Sequence, residues 1–179
     1  KLNIFFLLLF IAFIIFKSHD DFSYYHFPYT YYLTQSEIAF GIGNFNHGFR
    51  TPSSIFYLNS IFYLPIIKYN FFQIGAILIM GFSSYQFFYL VKEKLNQKKY
   101  DKFFFLSLFF FMFTVIFFYR IAEHGTDRSA QILIFLLIIE LLIIINFDKG
   151  IKERIIKIFI ILGLVISLKS FYVLYLALS

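Results

Sequence analysis

The stretch Ile132 to Phe147, ILIFLLIIELLIIINF, decides the fold, because it carries one charged residue, Glu140, in sixteen and has neither Pro nor Gly. An apolar run of this length, bounded by polar turns, is the signature of a helix that crosses a bilayer. Upstream, Phe103–Tyr119 and Phe71–Val91 have the same character, and so does Leu2–Phe16; downstream, Ile158–Leu176 repeats it. The sequence therefore predicts an all-α polytopic transmembrane helix bundle of about five spans (2–16, 71–91, 103–119, 132–147 and 158–176), forming one transmembrane domain over 1–179. A 60% hydrophobic composition and a mean hydropathy of +0.77 leave no room for a soluble domain. The chain starts at Lys1 and stops at Ser179 within an apolar run, so it reads as a fragment of a longer protein.

The net charge of +6 would suggest nucleic acid until its placement is read. Lys1 and the connections Lys92–Lys102 and Lys149–Lys157 hold ten of the sixteen cationic residues. The alternate connections hold Lys17, Arg50, Lys68, Arg120 and Arg128, and Lys169 falls inside a span. Lys and Arg concentrate in short cytoplasmic loops, so the charge is topological and no nucleic-acid partner is expected. The connections 17–70 and 121–131 are then the outer loops. The absence of Cys removes disulfides, thiolate metal sites and cysteine nucleophiles. Thirty Phe beside no Trp reflect composition as readily as function.

The long outer loop is expected to carry short juxtamembrane helices. Thr34-Gln-Ser-Glu37 has capping-box spacing, and Thr51-Pro52 sets a cap residue before a proline at a first helical position, for a helix ending before Pro65. The second span contains Gly75, Ala76, Gly81, Ser83 and Ser84, small residues that permit close helix approach.

Candidate chemistry gathers in His19–Tyr32, HDDFSYYHFPYTYY, directly after the first span. Asp20 and Asp21 could act as a general base or, with His19, hold Mg, Mn or Zn; a solvated helix exit would present the same residues. Glu123, His124 and Asp127 supply a second acidic and histidine group on the same membrane face, with Asp127 or Ser129 also suited to capping the fourth helix. Eight of the fourteen tyrosines lie between residues 18 and 70, where an interfacial aromatic belt accounts for them. Arg50 could grip a phosphate oxygen or a lipid head group. Within the spans, Glu140 is expected roughly 16 Å deep, near the midplane, and Lys169 roughly 10 Å below the outer surface. The two could pair, or Lys169 could reach outward to an anionic lipid-linked substrate.

An apolar helix followed by an acidic pair and Tyr24-Tyr25-His26-Phe-Pro28, a long outer loop, and a short second outer loop bearing Glu123 and Asp127 together resemble the GT-C superfamily of integral membrane glycosyltransferases, which includes protein mannosyltransferase-like and aminoarabinose transferase-like enzymes. The resemblance implies inverting transfer of a sugar from a polyprenyl-phosphate donor to a glycan, lipid or protein acceptor at the outer face of a membrane, here a bacterial inner membrane. It implies that Asp20 or Asp21 activates the acceptor or holds a metal, that Glu123 or Asp127 is the second-loop acid, and that Lys169, Arg50, His26 or His124 meets the substrate and leaving phosphate. Two other readings are an outer-face polysaccharide polymerase or ligase, and a transporter subunit with Glu140 and Lys169 on its pathway.

Overall fold

The computed structural model describes residues 3, 6, 7, 20–118, 125–146 and 151–178. Among these every regular element is helical and no strand forms. A π-helical turn, Phe22–His26, leads into α1 (Phe27–Gln35); α2 (Ser54–Ser60) follows, then α3 (Ile74–Asn96), α4 (Lys102–Phe117), α5 (Thr126–Asn146) and α6 (Ile151–Leu168), with a 3-10 segment, Ser170–Leu178, at the end.

Among the described residues two stretches are long and apolar enough to cross a membrane: α3 with the turn before it, Tyr69–Asn96, and α5, Thr126–Asn146. Helix α4 is apolar throughout but only 16 residues long, and α6 opens with Lys152, Glu153, Arg154 and Lys157 in its first two turns. The span expected at 2–16 lies almost wholly outside the described residues; Phe6 packs edge-on against Phe82 of α3, with ring centroids 4.9 Å apart. The span expected at 158–176 is not one helix. Helix α6 begins earlier, at Ile151, stops at Leu168, and gives way at Lys169 to the 3-10 segment. The fourth helix likewise starts at Thr126, so half of the expected outer turn 121–131 is already helical.

The long helices form two hairpins, α3 with α4 and α5 with α6, joined where α5 lies against α3 and α4. The seam of the first hairpin is aromatic: Phe87 meets Phe110 at 5.8 Å and Phe88 meets Phe111 at 5.9 Å. Phe110 then stacks on Phe135 of α5 at 4.4 Å, with the rings 4° from parallel. Small buried residues, Ala76, Ser83 and Ser84 on α3, Ser107 and Thr114 on α4, Ser129 and Ala130 on α5, let these rings and backbones approach. Outward, α4 exposes Phe105, Phe109, Met112 and Ile116, a continuous apolar stripe along one face. A largely apolar cleft of about 250 Å³, walled by Leu58, Gly75, Phe82, Gln86, Leu133 and Leu136, opens between α2, α3 and α5.

The segment 20–72 forms a packed platform carrying short helices. The stretch expected to be a polar loop, up to Tyr32, is helical from Asp20 onward. Its aromatic residues explain this, since Tyr29 packs on Phe49 at 5.1 Å and on Phe56 at 5.5 Å, and tertiary burial outweighs their modest helix propensity. The capping box expected to begin a helix at Thr34 instead lies at a helix end. Thr34 sits in the last turn of α1, its hydroxyl donates to the Tyr31 carbonyl at 2.7 Å, and Ser36 is already extended. The cap of α2 is Ser53, two residues beyond the expected Thr51; its hydroxyl accepts from the Ile55 amide.

Two contacts fasten the platform to the bundle. The buried Asn59 of α2 accepts from the Gly75 amide at 3.0 Å, filling one of the free donors in the first turn of α3. A Cβ at position 75 would stand 2.5 Å from the Asn59 Oδ1, so only glycine fits there. At the other end of α2, Ser53 donates to the Leu168 carbonyl at 2.6 Å and Ser54 shares a hydrogen bond with Ser167 at 2.9 Å. These satisfy and hold the last turn of α6.

Candidate functional site: a carboxylate and lysine cluster beneath the platform

Once Ser53 and Ser54 hold the end of α6, the position of Lys169 is set, because it is the next residue and its amide still donates to Val165. Its Nζ lies 2.9 Å from Oδ1 of Asp127, in the first turn of α5. A carboxylate there also complements the positive end of the α5 dipole. Both side chains remain partly exposed, 40% for Lys169 and 53% for Asp127, so the pair is open to exchange with a solvent-borne ligand. Asp127 is one residue inside the helix rather than at its cap, and Ser129 is buried.

The geometry corrects two expectations. Glu140 pairs with Arg154 of α6, Oε2 to Nη1 at 2.7 Å, and not with Lys169. Glu140 is six residues from the end of α5, roughly 9 Å along the axis, so it stands in the second half of the helix and not at its centre. Lys169 does not lie within a span either, since it sits beyond the last residue of α6.

From the platform, Tyr25 completes the cluster. It belongs to the π-helical turn and packs on the backbone of Gly48, where a Cβ would lie 2.4 Å from the Tyr25 ring. Asn46 fixes the neighbouring strand of chain, donating to the Tyr24 carbonyl at 3.1 Å and accepting from the Gly48 amide at 2.8 Å. Burial pushes the Tyr25 hydroxyl above its ordinary pKa of 10.0, and the charges of Asp21 and Asp127 push it further. Tyr25 therefore stays protonated, a hydroxyl within the electrostatic reach of two carboxylates. The two acidic segments, separated by about a hundred residues of chain, both act electrostatically on this side chain. On the far side of the ion pair, Tyr172 of the 3-10 segment lies within electrostatic range of Asp127 and Lys169 and in hydrogen-bonding reach of Gln131.

The other expected site residues fall as follows. Asp20 is exposed and adjacent to Asp21 on one helical turn, so the two carboxylates leave the axis about 100° apart and do not form a chelating pair. Only Asp21 bears on Tyr25. Among the described residues no group of three or more His, Asp and Glu is placed to hold a metal; His19 lies outside them, as do Glu123 and His124. His26 is buried at 7% exposure between Tyr25, at 4.3 Å, and Phe56, at 5.3 Å, so it supports the site from behind. Arg50 is exposed and its Nε donates to the Gly43 carbonyl at 3.1 Å, closing the loop 43–50.

Tyr25, Gln131 and Tyr172 are the members of this cluster that the sequence did not single out. One signal was present, since Gln131 stands one helical turn after Asp127 on the same face. The assembled groups offer a carboxylate able to take a proton, an ammonium able to meet an anion, and two hydroxyl donors. The chain matches no protein family, no curated protein and no solved structure.

Proposed function

We propose that the chain is the membrane domain of a glycosyltransferase that moves a sugar from a polyprenyl-phosphate donor to an acceptor hydroxyl at the outer face of a bacterial inner membrane. The observation that carries this reading is the partly exposed Lys169–Asp127 ion pair, with Tyr25 in the electrostatic reach of Asp127 and Asp21. In this reading α3, α4, α5 and α6 are four of five crossings, the apolar stripe of α4 faces lipid, and the cluster opens at the outer end.

The chemistry follows from the groups present. The acceptor oxygen forms a bond to the anomeric carbon as the bond from that carbon to the phosphate oxygen breaks. The acceptor proton passes to a carboxylate, Asp21 or Asp127, and Glu123 is a further candidate for this role. Lys169 leaves Asp127 and meets the departing phosphate, whose growing charge needs a cation. This exchange frees the Asp127 carboxylate as the phosphate is bound, which couples donor binding to exposure of the base. Tyr25 and Tyr172 donate hydrogen bonds to sugar or phosphate oxygens. Arg50 and His124 are candidates for substrate contacts further out, and His26 holds Tyr25 in place.

The test uses the protein in its membrane with a radiolabelled polyprenyl-phosphate sugar. Asp21→Asn, Asp127→Asn and Glu140→Gln are compared at equal expression. Transfer should collapse in at least one of the first two and survive in Glu140→Gln, whose carboxylate faces Arg154 at the other end of α5. Undiminished transfer in both aspartate variants would remove the site assignment.

A further inference from the structure

The opposite end of the bundle carries lysines that ion pairing does not account for. Helix α3 ends in a Schellman turn: the Lys99 amide donates to the Lys94 carbonyl and the Lys98 amide to the Leu95 carbonyl, each at 3.0 Å. The left-handed position of this turn is ordinarily taken by Gly or Asn, yet here it is Lys98, with φ of +53°. A residue kept at backbone cost is a reason to ask what its side chain does.

Two of the acidic residues nearby are engaged, while Glu153 stands exposed in the first turn of α6. Asp101 caps α4 through the Phe104 amide at 3.0 Å and forms an ion pair with Lys94, while Glu93 accepts from Gln97 at 3.2 Å. Lys98 and Lys99 are exposed next to each other, and among the described residues neither has an ion-pair partner. Lys102 hydrogen-bonds Asn146 at the end of α5, which brings the start of α6 to the same end of the bundle with its exposed Lys152 and Lys157. Between these cations stand exposed apolar and aromatic side chains, Leu95, Tyr100, Ile151 and Ile155. A cationic cluster interleaved with interfacial apolar residues, at a helix end, complements the head group and glycerol region of an anionic lipid.

We infer that the turn after α3 is a binding site for an anionic phospholipid, with Lys98 and Lys99 on the phosphate and Lys102 and the start of α6 beside it. The inference rests on the reading of α3, α4 and α5 as membrane helices, but not on the transferase chemistry at the other end.

The experiment places the full chain in nanodiscs of phosphatidylcholine containing a minor fraction of phosphatidylglycerol, then counts by mass spectrometry the lipids that stay bound after detergent extraction. The wild type should retain phosphatidylglycerol well above its bulk fraction, with the excess falling as salt is raised. Each lysine removed should lower the preference about fivefold. Lys98→Gly is the decisive variant: glycine suits the backbone, so its thermal midpoint should hold or rise while the preference falls, and Lys98→Arg should keep it. Retention at the bulk ratio in the wild type, or an undiminished excess in Lys98→Gly combined with Lys99→Gln, overturns the inference while leaving the membrane reading intact. Failure of the chain to enter the nanodisc at all removes both.

Discussion

Lys169, the first residue beyond α6, is bound to Asp127, in the first turn of α5, across 2.9 Å. The contact joins the ends of two antiparallel helices at the level of the platform, and it gives the cluster a close cation. Because both groups are partly exposed, the pair contributes little to stability, on the order of 0–1 kcal/mol. Its removal should therefore be read in activity. On the proposed transferase reading, Asp127→Asn and Lys169→Gln should each lower sugar transfer by on the order of 100-fold or more, with thermal midpoints little changed. The double variant should lose scarcely more than either single one, since the two act as a unit. Fully additive losses would show that the contact has no part in the reaction.

Tyr25 offers a test in pH. Its folded pKa is raised first by burial and then by Asp21 and Asp127, so the folded chain holds that proton more tightly than the unfolded chain does. The stability that goes with this is present below the ordinary value of 10.0 and is lost as pH rises through the folded value. Tyrosinate absorbance, compared between the parent and Tyr25→Phe, should assign to Tyr25 a late step in the titration. In Asp127→Asn that step should move down toward 10.0, because a negative charge has been removed. A step that does not move would separate Asp127 from Tyr25.

Gly48 supports the same side chain by having none of its own. Gly48→Ala would drive a methyl group to 2.4 Å from Tyr25 and should cost about 1–3 kcal/mol, with transfer falling further than the loss of folded protein explains. Circular dichroism melting set beside activity per folded molecule makes the comparison. Activity that merely tracks the folded fraction would mean that Tyr25 is structural.

The joint between α2 and α3 is tested in stability alone. Gly75→Ala meets Asn59 Oδ1 at 2.5 Å, and Asn59→Leu strips the Gly75 amide of its buried acceptor; each should cost about 1–3 kcal/mol. Proteolysis of the platform in membranes should become faster in both. Unchanged resistance would show that the platform is held elsewhere.

Asp101 governs the acid side. The Lys94 hydrogen bond, helped by the Phe104 amide and opposed by burial, holds its carboxyl below its ordinary value of 3.8. The resulting stability is present above 3.8 and is lost as pH falls through the lowered folded value. Asp101→Asn keeps the cap but should flatten that part of the acid melting profile, whereas an unaltered profile would place the acid sensitivity in other carboxylates.

The helices that composition specifies were legible in the sequence: the cores of α3 and α5 need only a long apolar run, although α3 continues five residues past the expected end, to Asn96, and α5 starts six residues before the expected start, at Thr126. What periodicity could not give was the helix that opens the platform. Tyr24 to Tyr32 has no helical apolar stripe to read, and it is helical because Phe49 and Phe56, distant in sequence, enclose it. Thr34 and Glu37 matched a start motif by spacing, while the hydroxyl of Thr34 turned back to Tyr31. The cluster was half legible, since Asp21, Asp127 and Lys169 stood out as charges near helix ends. Their partners did not, because Ile and Leu along α5 and α6 say nothing about which residue of one helix faces which of the other.

That silence gives the two ion pairs of the α5–α6 hairpin a meaning beyond the cluster. Apolar helices in a hydrocarbon solvent gain little from one alignment over another, as lipid tails serve their side chains about as well. Asp127 with Lys169 at one end and Glu140 with Arg154 toward the other are spaced almost equally along both helices, so a slip of one turn strands four charges together. The hairpin thus carries a two-tooth key, and a chain that inserts these helices in succession has one docking position in which both teeth engage.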